Sequence, residues 1–344
     1  MDSEVARLAA ISAWRTLTAG QHRALVANGL IHALNDGYVA CIFPVLPLVA
    51  EEFGASYAVA GMVKLGLSGA LGAFELPVAL LAERVGETAI LTLGSAGLAL
   101  GFAGLGLVGA LWQVVALATL GGAAAAGQHP LSSSVVARAY EQRGRSTAIS
   151  TLNFTGDVGK AVFPILWGWL AVIVGWRQAM VVLGLVGLPL AGLFALLSRG
   201  AVGPARHPTS APTQGWGILD GRRFAALTTI GILDSVVRGG ALTLLAFLLV
   251  QKGLDTPTSA AVFTAIFVAG AVGKFGCGPL GARFGAVGVI AMTELATGLA
   301  VLAFVPAPPA VLFALAVVFG FFLNGTSSVL YASVSELLAS DRQG

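Results

Sequence analysis

The sequence predicts an all-α membrane protein, a helical bundle with about ten transmembrane helices. Three observations predict it. Of its 344 residues 57% are hydrophobic and only 10% charged, with mean hydropathy +0.88; an average soluble domain is about 25% charged, so an ordinary soluble enzyme is excluded. The apolar residues fall in long runs, and about 20 of them in a helix cross a hydrocarbon core of about 30 Å. An outer-membrane barrel would instead alternate over roughly ten residues. The 46 glycines follow no Gly-X-Y period and suit transmembrane helices that pack closely through small residues.

Residues 1–24 carry Arg7, Arg15 and Arg23 and a short apolar stretch from Leu8 to Trp14. That stretch is too mixed for a secretory signal, so 1–24 reads as a cytoplasmic leader. Span one is 25–50, closed by Glu51 and Glu52; span two, 57–82, is closed by Glu83 and Arg84; span three, 88–108, starts after Glu87. Span four covers 111–137 and stops before Arg138, span five 146–172 starts after Arg145, and span six 176–198 stops before Arg199. The longest break follows, 199–223, with Pro204, Pro208, Pro212 and four arginines, a linker between halves. Spans seven to ten are 224–251, 258–281, 286–304 and 308–335. The expected organisation is a six-helix half over 25–198, a cytoplasmic linker, and a four-helix half over 224–344.

Loop charge sets orientation. Thirteen cations fall on the side of the amino terminus, among them Arg84, Arg138, Arg143, Arg145, Arg199 and Arg283, against Arg177 and Lys252 on the other. The amino terminus is therefore expected in the cytoplasm of a multi-pass inner or plasma membrane protein. The net charge of +3 reports topology and implies no nucleic-acid partner. Cys41 and Cys277 both lie in apolar runs, which offers neither a disulfide framework nor a cysteine metal site.

The halves repeat. Leu80-Leu81-Ala82-Glu83-Arg84-Val85-Gly86 at the end of span two parallels Leu280-Gly281-Ala282-Arg283-Phe284-Gly285 at the end of span eight. Gly127-Gln128-His129-Pro130-Leu131-Ser132-Ser133-Ser134-Val135 in span four likewise parallels Asn324-Gly325-Thr326-Ser327-Ser328-Val329 in span ten. Each arginine is placed to bind helix-end carbonyls or an acid across a cytoplasmic gate, which makes Glu83, Arg84 and Arg283 gate candidates.

Leu81-Ala82-Glu83-Arg84-Val85-Gly86 resembles the Gly-x-Leu-Ala-Asp-Arg-x-Gly motif of the major facilitator superfamily, with Glu83 in place of the usual Asp. His32-Ala33-Leu34-Asn35-Asp36-Gly37-Tyr38, Gln128-His129-Pro130 and Asn153-Phe154-Thr155-Gly156-Asp157-Val158-Gly159-Lys160 look like the branch containing fosmidomycin-resistance-type exporters. Family members normally have twelve spans, so the resemblance makes this chain an incomplete 6+6 bundle lacking the last two, with Glu336 to Gly344 leading toward an eleventh. Either the sequence is a truncated product, or a partner protein replaces the missing helices.

Ionisable residues inside a span are costly and mark function by default. His32, Asn35 and Asp36 occupy i, i+3 and i+4 of span one, with Asp36 roughly 16 Å in from Leu25. Asn153, Asp157 and Lys160 form a similar stripe on span five, and Asp234 and Arg238 lie four apart on span seven. The superfamily resemblance implies that spans one, four, seven and ten line a central cavity, which nominates Asp36, His129, Asp234, Arg238 and Asn324. It also implies that spans five and eight face each other, bringing Lys160 and Lys274 close enough to hold an anion or to pair with Asp157 and Asp234. Asp36 and His32 share a face, so they either pass a proton or fix span one by a hydrogen bond; His129 either joins them or satisfies carbonyls freed near Pro130. Glu75 precedes the kink-forming Pro77, Glu294 falls on a peripheral helix, and Lys64 is expected to snorkel at the outer end of span two.

No Gly-x-Ser-x-Gly elbow and no P-loop occurs, so neither an enzyme site nor direct ATP drive is expected, and no cofactor or metal is called for. The sequence therefore predicts a secondary transporter of a small polar or anionic organic solute, coupled to protons and favouring efflux by antiport. The rival reading is a non-transporting membrane component whose incomplete second half docks on a partner protein.

Overall fold

A computed structural model describes residues 18–140, 144–200 and 218–337. The expected 1–24 leader and 199–223 linker, with Arg143 and most of the segment after Glu336, fall largely outside them. Among the described residues the chain is all-helical: α1 (Ala19–Phe53), α2 (Tyr57–Val85), α3 (Glu87–Leu105), α4 (Leu111–Ala125), α5 (Gln128–Ala139), α6 (Arg145–Val174), α7 (Trp176–Ser198), α8 (Gly221–Gln251), α9 (Thr256–Phe284), α10 (Ala286–Phe304) and α11 (Leu312–Glu336), the last preceded by a 3₁₀ turn at Pro309–Val311. Nine of these are long and apolar enough to cross a membrane.

The expected span 111–137 is formed by α4 and α5 together. The helix breaks at Ala126 and Gly127. Pro130 explains the position: it has no N–H to give the carbonyl four residues back, Ala126, and its ring crowds that carbonyl. Elsewhere the ends follow local chemistry. Thr18 caps α1 through Gln21, Asp255 accepts from the Thr258 N–H at 2.9 Å, and the expected Arg-x-Gly closures end on Gly86 and Gly285 with φ of 99° and 84°, conformations open to glycine.

Packing repeats as well. In the first group of helices α2 lies along α4; in the second, α9 lies along α11. A Cβ on Gly122 would sit 2.0 Å from the Leu67 carbonyl oxygen, and one on Gly320 would sit 2.1 Å from that of Ile266. Both seams therefore require glycine at the contact. The groups meet where α6 packs on α9 and where α1 and α2 pack on α8. Large apolar side chains such as Leu120, Val287 and Leu302 face outward, a surface suited to lipid and not to water.

Candidate functional site

A cavity of about 2250 Å³ opens between the two helix groups. Its mouth is set by Glu83, Glu87, Arg138, Arg145 and Arg199, so it opens at the arginine-rich end. One face of α1 descends into it through Asn28, His32 and Asp36. Beyond Asp36 the helices close. The Phe43 ring stacks on Phe263 at 5.6 Å and 6°, with Phe267 against both; farther out Tyr57 packs on Phe247 and accepts a hydrogen bond from the Gln251 amide. At that end Arg177 joins Glu52 to the Val108 carbonyl, and Lys252 donates to the carbonyls of Val305 and Ala307.

At the cavity floor four charges alternate. Asp36 Oδ2 lies 2.8 Å from Lys160 Nζ, Lys160 also lies 3.6 Å from Asp157, and Lys274 donates to both Asp157 oxygens at 2.6 and 2.8 Å. The order Asp36–Lys160–Asp157–Lys274 runs from α1 through α6 to α9. Two imidazoles flank its first member: His32 Nε2 and His129 Nε2 each stand 3.5 Å from an Asp36 oxygen. The His129 side chain is 44% exposed while that of Asp36 is 7% exposed, so His129 lies between the carboxylate and the cavity. Gly156 makes room, since a Cβ there would fall 2.5 Å from Asp36 Oδ2.

A second polar group lies across the cavity. Arg238 on α8 donates to Asp234 at 2.9 and 3.2 Å, to Asn324 Oδ1 at 2.7 Å and to Ser327 at 3.1 Å. Glu294 on α10 reaches Asp234 and Thr326. Apart from Glu294, each carboxylate here, Asp36, Asp157 and Asp234, has a cation of its own in Lys160, Lys274 and Arg238, as buried charge requires.

Most sequence candidates meet here: His32, Asp36, His129, Asp157, Lys160, Asp234, Arg238, Lys274 and Asn324 converge, and Asn153 lines the wall four residues before Asp157. Asn35 does not. Its amide donates to the Ile31 carbonyl and to Ser95 at 2.7 and 2.8 Å, inside the first helix group. Glu83 and Arg84 are exposed near the mouth, and Arg283 lies over Phe284 at 5.2 Å. At that end Arg138 pairs with Glu87, backed by Ser134. Sequence reasoning missed this pair because Glu87 and Arg138 read as the edges of two spans. It missed Ser327 too, although three residues after Asn324 is one helical turn. Glu294 stood out as an acid in an apolar run, but nothing in the run names Asp234 as its neighbour.

The model of the family described as Major Facilitator Superfamily matches residues 29–344. Among solved structures, a bacterial homolog to the human lysosomal transporter Spinster, inward-facing and unoccupied, aligns with TM-score 0.77 at 17% identity, over 94% of this chain and 77% of that one. The inward-facing, occupied structure of such a homolog gives 0.77 at 19% identity over 95% and 77%. The nucleoside transporter NupG, in the form of a point mutant, gives 0.73 at 11% over 94% and 85%. At these identities the likeness is one of fold. No curated protein matches in sequence.

Proposed function

The chain belongs to the Major Facilitator Superfamily, a family of membrane transporters, and from that premise we propose that it is a proton-coupled secondary transporter of a small polar or anionic organic solute. The observation that carries this reading is the charge-balanced cluster at the closed floor of a cavity open at one end. The arginine excess at the open end supports placing that end in the cytoplasm of an inner or plasma membrane, with the two helix groups rocking about the midplane. Arg238 and Lys274 hold the solute's polar or anionic group. Asp36 is the proton site: it is buried, it depends on Lys160 for compensation, and His129 links it to cavity water. Glu83, Arg84 and Arg283 at the mouth are the groups brought together when that end closes.

Export by exchange for protons is the direction supported by the resemblance to fosmidomycin-resistance-type exporters in the segments around Asp36, His129 and Asp157. Protonated Asp36 releases Lys160 and resets the cavity toward the cytoplasm. Symport has its own observation: an anion that takes Lys160 from Asp36 leaves a buried carboxylate that gains a proton, so anion and proton then travel together. Flux of small carboxylates and phosphonates in proteoliposomes, with pH gradients of either sign, separates the two. Asp36→Asn is expected to lose gradient-driven flux while keeping solute counterflow. Unchanged gradient-driven flux in Asp36→Asn overturns the assignment.

A further inference from the structure

Lys64 lies on α2 seven residues after Tyr57, roughly 11 Å along the helix from its closed-end terminus. A lysine at such a depth is expected to pair with a carboxylate or to snorkel outward. Among the described residues no carboxylate pairs with it, and the partly exposed side chain turns to an aromatic ring. Its ammonium lies 4.7 Å from the centroid of the Phe43 ring, which is itself buried. No hydrogen bond or ion pair accompanies that contact, and the neighbouring charge that acts on it is the like charge of Lys160. Lys160 lines the cavity, whereas neither Lys64 nor Phe43 does. Lys64 therefore lies outside the cavity, against the Phe43 ring of the seal that Phe43 forms with Phe263, and on α2 it is nearer the closed-end terminus than the opposite one.

We propose that Lys64 is an anion station on the outer side of this seal, a specificity-determining residue for solutes bearing a carboxylate or phosphonate. The inference rests on the alternating-access reading above. In the present form the π face of Phe43 satisfies the ammonium, an interaction worth about 0.5–2 kcal/mol. When the closed end parts, Phe43 must leave Phe263, and Lys64 becomes the first cation that an anionic group meets past the terminal residues Arg177 and Lys252, which are engaged by Glu52 and by backbone carbonyls. A charge-assisted hydrogen bond to the anion is stronger than the ring contact it replaces. Binding there holds the seal apart, and departure of the anion returns Lys64 to Phe43.

The test compares the two faces of the membrane. In proteoliposomes of defined orientation, Lys64→Met should raise KM for carboxylates and phosphonates entering from the closed-end side by at least about tenfold, as for the loss of one charged contact. KM from the arginine-rich side should stay within about twofold, and Lys64→Arg should restore outer-face affinity. Equal changes on both faces, or none, overturn the proposal. A second measurement needs no transported solute: acetylation of Lys64 by a membrane-impermeant N-hydroxysuccinimide ester added at the outer face, read by mass spectrometry. Protection by benzoate or methylphosphonate but not by sorbitol supports the station; labelling unaffected by either anion overturns it. If the wild type moves no solute of the panel, the transport reading fails while the labelling result still decides on Lys64.

Discussion

Asn35 and Asp36 are adjacent in sequence and part company in function. Successive residues on a helix turn by about 100°, so Asn35 and Asp36 lie on opposite flanks of His32, and only one flank meets the cavity. Asn35 instead holds Ser95 at 2.8 Å within the first helix group. Asn35→Leu should therefore lower stability by about 1–3 kcal/mol, the cost of stranding a buried polar group, and leave solute KM unchanged in the protein that folds. Unfolding in detergent together with a flux assay checks both halves of this expectation; a changed KM at unchanged stability would return Asn35 to the site. The membrane made the polar candidates legible, because charges there are few and costly. Their partners were legible only in part: His32 beside Asp36, Arg238 with Asp234 and Lys274 with Asp157 were among the expected pairings, but Lys160 with Asp36 was not. Spacing alone favoured Asp157 with Lys160, three residues apart, whereas Lys160 comes closest to Asp36 and Lys274 takes Asp157, choices set by how closely α1, α6 and α9 approach.

Among the elements, the spans could be placed from hydropathy because each must cross the same thickness of hydrocarbon, while the break between α4 and α5 could not be read from apolar length. Pro130 was visible, but whether a proline kinks or breaks a transmembrane helix depends on neighbours that re-satisfy the freed carbonyls. Helix starts outside the membrane follow simpler rules. Asp255 caps α9, and its hydrogen bonds with Thr258 hold its carboxyl below the usual carboxylate value. Asp255→Ala should cost about 1 kcal/mol at neutral pH. Because the folded-state pKa is the lower one, the ionised cap contributes fully above the unfolded value near 3.9 and is lost as pH falls through the folded value. Thermal unfolding of the wild type and Asp255→Ala should thus differ at pH 7 and converge in acid; a gap that widens in acid contradicts the cap.

For the whole molecule, the question is what holds it open at the arginine-rich end. Among the described residues the two helix groups share one ion pair, Asp157 with Lys274, alongside the Phe43–Phe263 stack and the Thr264 hydroxyl donating to the Ala161 carbonyl at 2.7 Å. Asp157→Asn removes the counter-charge and leaves Lys274 at the cavity floor. Breaking a fully buried pair costs about 3–5 kcal/mol; the cost is smaller here because the Lys274 side chain keeps 28% of its exposure. Even about 1.4 kcal/mol changes a conformational equilibrium tenfold. Lys160 cannot replace the lost carboxylate, being a cation itself, so the present arrangement loses stability relative to one in which the groups have rocked apart at the floor. Spin labels at Thr88 and Val287, just past the equivalent glycines Gly86 and Gly285, report the width of the mouth. The wild type should give predominantly the long distance of the open cavity. Asp157→Asn should add a shorter distance, and Lys274→Gln should do so less, since Asp157 then still has Lys160 at 3.6 Å. Identical distance distributions in all three proteins would mean that the aromatic seal and the hydrogen bonds beside it keep the cavity facing one side without this ion pair.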